Sequence, residues 1–211
     1  MGTRSAEARD GRKADRPRKG QLTRGRLLEA AFEVIGRKGY AAATMDEIAQ
    51  AAGVSKGVAY YHFKNKAEIA STVLTEAIDQ LVALFEQVRS QGGSAHGILT
   101  GMLSVFATMI YEKRALAQFA TSEMWLGGGS MSEAVHDQLM RIVDLVCEQI
   151  ERGQADGSVR TDIDASFQAV SIIGMVAADA LYALGAEGAA DAGKETFVAR
   201  VVGYAGRASA A

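Results

Sequence analysis

The chain has 211 residues, 48% of them apolar, with a formal charge of −2, one proline and one cysteine. That length supports a globular body with a sizeable core plus one small additional domain. A single cysteine excludes an internal disulfide, and no apolar leader opens the sequence, so a cytoplasmic protein is expected.

Helix formers dominate, and no segment sustains the period-two alternation of a strand, so the predicted class is all-α with about nine helices. The charge is unevenly placed. Residues 1–66 hold 14 Lys and Arg against 7 Asp and Glu, whereas residues 67–211 hold 9 against 18. A basic first third on an acidic remainder points to a polyanion reader joined to a body with another task.

Residues 1–20 are rich in Arg, Lys and Gly without hydrophobic periodicity and are read as a disordered basic arm, able to lie along phosphates or to remain a solvated tail. Residues 21–66 follow as a DNA-binding domain. A helix is predicted over 23–37, with Leu27, Leu28, Ala31, Val34 and Ile35 as its apolar stripe. Thr44 followed by Glu47 is a capping box that opens a short second helix. Gly53 supplies the left-handed turn that ends it, and Ser55 caps a third. Helix, tight turn and helix within about twenty residues make a helix-turn-helix.

The third helix carries the sequence SKGVAYYHFKNK. DNA presents an anion about every 1.7 Å of duplex axis and a major groove about 12 Å wide, into which a helix fits. Val58 and Ala59 are expected to face inward. Lys56 can reach guanine acceptors or a phosphate, and Gly57 lets the backbone come close. Tyr60 and Tyr61 can donate hydroxyls to phosphates or lay a ring on a thymine methyl. His62, Lys64 and Lys66 continue the cationic track. The amides at the start of the Thr44 helix are a further phosphate site.

Residues 44–69, TMDEIAQAAGVSKGVAYYHFKNKAEI, closely resemble the DNA-binding signature of the tetracycline-repressor (TetR) family of bacterial regulators, and the likeness extends over about 23–74. Carried across position by position, it implies phosphate contacts at Thr44, Tyr60, His62 and Lys66, with base reading at Lys56, Gly57, Val58 and Tyr61. It also implies that residues 67–211 form a helical domain that binds a small effector and dimerises through its last two long helices. Two reading heads must stand about 34–36 Å apart to enter successive major grooves, so a palindromic operator is expected.

A long amphipathic helix starts near Asn65, and further helices are predicted over 98–111, 115–125, 131–152, 164–184 and 194–204, with breaks at GGGS, GQADGS and GAEGAADAG. Met102, Phe106, Met109, Phe119 and Met124 give the middle helices large, adaptable side chains. Trp125, Met131, Met140 and Met175 extend the set. Together they suit a pocket for an apolar or aromatic ligand, with Glu123 or Asp179 holding a polar end; each alone also suits a plain core. The segment 164–185 is apolar nearly all round. Its Ala169, Ile172, Ile173, Ala177 and Ala180 suit a helix pressed by its own domain and by a second copy, rather than a membrane span, since cationic flanks are missing.

Catalysis is not expected. His62, His96 and His136 fall on different elements without HExxH spacing, and no phosphate loop or calcium loop is present. No metal or cofactor is implied. The chain therefore reads as a ligand-responsive repressor that binds double-stranded DNA as a homodimer. A DNA-binding adaptor or architectural protein with no effector is the alternative.

Overall fold

A computed structural model of the protein describes residues 15–113, 116–117, 120, 133–185 and 193–210. Among these residues the chain forms eight helices and no strand, with one isolated antiparallel bridge between Val159 and Ala210. The fold class is the all-α one expected. The predicted helix over 115–125 lies largely outside the described residues, as do residues 1–14 of the basic arm.

The chain divides into two compact units, residues 1–73 and 74–211. The first contains α1 (Asp15–Lys38), α2 (Met45–Ala51), α3 (Lys56–His62) and the opening turns of α4 (Lys66–Ser90). α1 starts eight residues before its predicted beginning, so residues 15–20 are helical rather than part of a disordered arm. Leu27, Ala31, Val34 and Ile35 form its buried stripe, and α1 packs on α2, whose Ile48 and Ala49 are also buried. Ala59 of α3, Phe63 and Ile69 are also sealed within this unit. Burying side chains of this size contributes about 1.5–3 kcal/mol each for the larger ones, which anchors short helices that could not persist alone.

The second unit holds the rest of α4, then α5 (Ala95–Glu112), α6 (Glu133–Asp156), α7 (Ala165–Gly185) and α8 (Lys194–Ser209). α5 packs on α6 and α8, and α6 packs on α7. Leu99, Met102 and Leu103 of α5 are fully buried, as are Val146 and Ile150 of α6. GQADGS does not break α6 at its first glycine. Gly153 lies inside the helix, packed so closely on Val159 that a β-carbon there would stand 2.4 Å from its methyl, and the turn comes at Gly157, with φ 78°. Gln154 and Gln168 secure that turn, both donating to the carbonyls of Arg160 and Ile163. No described helix is long and apolar enough to cross a membrane.

Candidate nucleic-acid interface and effector cavity

The start of α2 is built by its own sequence. The Glu47 amide donates to Thr44 Oγ1 at 3.3 Å, and the Thr44 amide donates to Glu47 Oε2 at 3.2 Å. Such a cap is worth about 1 kcal/mol. Lys38 donates to the same carboxylate and, with the Thr44 hydroxyl, holds Glu47 below its ordinary range. The capping box thus occupies two of the amides considered as a phosphate site.

Between α2 and α3, Gly53 adopts φ 64°, and a β-carbon there would stand 2.9 Å from the Arg26 guanidinium. Arg26 donates to the Ala52 carbonyl, and more weakly to that of Gly53 at 3.5 Å, so α1 clamps the turn that aims α3. This role of Arg26 is not visible in the sequence, because its partner lies 26 residues away.

α3 has one buried residue, Ala59. Ser55 Oγ accepts from the Val58 amide at 3.3 Å and fixes the first turn. Lys56, Gly57, Val58, Tyr60 and Tyr61 are all exposed, Tyr60 at 45% and Tyr61 at 85%. Val58 therefore points outward, contrary to its inward expectation, while Ala59 and Phe63 do the anchoring. Nothing stands within 4 Å of a β-carbon at Gly57, so this fold leaves open space there. His62 is half-buried, its ring edge-on to Tyr61 with centroids 5.2 Å apart.

Two of the predicted cations already have protein partners. Lys56 Nζ lies 2.9 Å from Asp46 Oδ2 on α2, which raises its pKa, and 5.9 Å from the Tyr60 ring centroid. An exposed pair of this kind is screened by solvent and exchanges readily. Lys66 is more committed: Nζ donates to the carbonyls of Tyr40 and Ala41 at 2.7 and 3.1 Å and lies 4.5 Å from the Tyr40 ring centroid. It ties the α1–α2 turn to the start of α4. Lys64 is exposed, and its backbone amide donates to Glu68.

The second unit holds a partly open cavity of about 140 Å³. Leu74, Ile78 and Leu81 of α4 line it, with Phe106 and Met109 of α5 and Met140 of α6. Three of the anticipated ligand residues thus converge. Met102 is buried but does not line the cavity, and neither does Met175. Asp179 is turned to Arg200 at 2.8 Å. Phe119, Glu123 and Trp125 lie outside the described residues. Ile173 and Ala177, expected at a subunit interface, line the cavity. Ala169 and Ile172 are buried in the unit, and the side chain of Ala180 is not described. The exposed apolar face of α7 is the opposite one, with Phe167 at 66% and Tyr182 at 70%, joined by Val170.

The half-buried Cys147 thiol is pushed upward by burial and nearby carboxylates, so it stays protonated near neutral pH. Among the described residues no three His, Cys, Asp or Glu side chains come together as a metal site. The three histidines lie apart in the chain: His62 on α3, His96 in the first turn of α5 and His136 on α6, lining the cavity.

Residues 27–73 match the description of bacterial regulatory proteins, tetR family. Over 60 residues the chain is 55% identical to the HTH-type transcriptional activator FasR of Mycolicibacterium smegmatis, covering 28% of this chain and 27% of that protein. It is 26% identical over 151 residues to the HTH-type transcriptional repressor KstR2 of the same organism, covering 71% and 74%. Its fold is similar to the crystal structure of a bacterial regulatory protein in the tetR family from Rhodococcus RHA1, with TM-score 0.73 at 23% identity, covering 88% of this chain and 95% of that one.

Proposed function

We propose that the chain, whose residues 27–73 match the model of bacterial regulatory proteins, tetR family, is a ligand-responsive repressor that binds a palindromic operator as a homodimer in the cytoplasm. The observation that carries this reading is α3. Five of its seven residues face solvent, and they combine a cation, a glycine and two tyrosines, while Ala59 holds the helix to its unit. A recognition helix meets the major groove by its N-terminal residues. Lys56 exchanges Asp46 for a phosphate or a guanine edge. Tyr60 donates its hydroxyl to a phosphate, and Tyr61, the most exposed ring, reaches bases. Thr44, Ser55, His62 and Lys64 border the groove. Gly57 and Val58 allow close approach.

The cavity gives the second half of the reading. Its lining is almost wholly apolar, which suits an apolar or aromatic effector. α4 connects the two roles within one helix. Ile69 and Ala70 are buried in the first unit, and Leu74 lines the cavity one turn later. A ligand against Leu74, Ile78 and Leu81 biases the position of α4 and therefore of α3. A 100-fold preference of the effector for the released state is worth about 2.7 kcal/mol. The homodimer forms through the outward face of α7 and the exposed Tyr204 of α8.

Footprinting on the DNA flanking its own coding sequence tests this. Protection of a two-fold symmetric site, weakened by a small apolar compound, is expected. Equal binding to that duplex and to a scrambled one contradicts DNA recognition. Specific binding that no apolar or aromatic compound alters favours the effector-independent adaptor.

A further inference from the structure

α3 carries no carboxylate of its own: from Ala52 to Ala67 the sequence holds lysines, tyrosines and a histidine but no Asp or Glu. An anion nevertheless stands on its exposed side. Asp46, in the first turn of α2, places Oδ2 2.9 Å from Lys56 Nζ, and the two side chains are 60% and 63% exposed. The neighbouring Glu47 is engaged by Lys38 and by the Thr44 cap, so Asp46 is the α2 acid that meets α3. The pair lies beside Tyr60, whose ring also faces Lys56.

Such an exposed pair adds little to the fold, because Ile48, Ala49 and Ala59 are buried beneath the two helices and Gly53 fixes the turn between them. Its larger effect falls on DNA. Sequence-independent binding is almost wholly attraction to phosphates, so an anion on the contact surface weakens it directly. The same anion occupies a lysine that would otherwise meet a phosphate. Binding at a preferred site also draws on base edges, which offset the transfer of Lys56 away from Asp46. Specificity is a difference between two affinities, and a charge set against the wrong partner widens it.

We propose that Asp46 is a specificity-determining residue: it holds Lys56 back from phosphates on arbitrary DNA and yields it where a guanine edge lies within reach of α3. This rests on the reading of α3 as the helix that enters the groove, and adds to it an acidic residue from α2.

The test uses the full-length chain as wild type, Asp46→Asn, Asp46→Glu and Asp46→Asn/Lys56→Gln. Each is measured by fluorescence anisotropy over a series of salt concentrations, on a duplex that wild type selects from a random pool and on a scrambled duplex. Asp46→Asn should bind the scrambled duplex about three- to fivefold more tightly, with a smaller ratio of selected to scrambled affinity. Its plot of log affinity against log salt should steepen by about 0.9 on the scrambled duplex, the signature of one more phosphate neutralised. Asp46→Glu should keep the wild-type slope, and the double variant should return to it, because the gain acts through Lys56. Unchanged affinity and slope on the scrambled duplex in Asp46→Asn overturn this role and leave DNA recognition standing. Weaker binding to both duplexes without a steeper slope makes Asp46 a structural residue only and overturns it too. A wild type that selects no duplex removes the reading of α3 and this inference with it.

Discussion

Tyr60 carries a proposed contact, and Glu47 carries structural support. Tyr60 is 45% exposed on the face of α3 that also carries Lys56, so its hydroxyl is available to a phosphate. Tyr60→Phe keeps the ring and should weaken binding to all duplexes about tenfold, read by fluorescence anisotropy, with an unchanged melting temperature. Glu47 instead supports the domain. Its pKa is lowered from 4.5, first by the hydrogen bond from Lys38 and then by Thr44. A depressed carboxylate pKa contributes stability that is present above the unfolded value and is lost as pH falls through the folded one. Urea denaturation at pH 7 and in the pH range below 4.5 should therefore show a smaller acid-side loss in Glu47→Gln than in wild type. At this scale the caps at Thr44 and Ser55 are legible in the sequence because they are bonds between residues three apart. The partners of Arg26, Lys56 and Lys66 are not, because tertiary folding brings Ala52, Asp46 and Tyr40 to them.

The elements themselves follow from periodicity, and their orientation does not. The long helices of the second unit lie close to their predicted spans, but α7 is apolar on so many sides that its sequence does not reveal which face turns inward. Ile173 and Ala177 line the cavity, and Phe167, Val170 and Tyr182 are presented outward. Gly153 likewise reads as a helix break, yet it is a close-packing point against Val159. A bulky side chain at Ala177 fills space that a ligand would take. Ala177→Phe should abolish the thermal stabilisation given by an apolar ligand, which is about 2.7 kcal/mol for wild type at 100 times the dissociation constant. The same variant should still bind DNA, because α3 belongs to the other unit.

For the whole molecule, the charge division in the sequence coincides broadly with two compact units, and α4 runs from one into the other. The first unit holds the exposed helix α3, and the second holds the cavity and an exposed aromatic face. Phe167→Arg with Tyr182→Arg places like charges across any symmetric contact through that face. If the proposed dimer forms through this face, analytical ultracentrifugation should find dimer for wild type and monomer for the double variant, with operator affinity reduced about 100-fold or more as the two half-sites cease to be linked. The most direct measurement is selection of bound duplexes from a random-sequence pool at near-physiological salt. Enrichment of a two-fold symmetric site, with half-sites about one helical turn or a multiple apart and lost in Tyr60→Phe/Tyr61→Ala, is the expected result. A pool that remains random after repeated rounds contradicts a role for α3 in reading DNA.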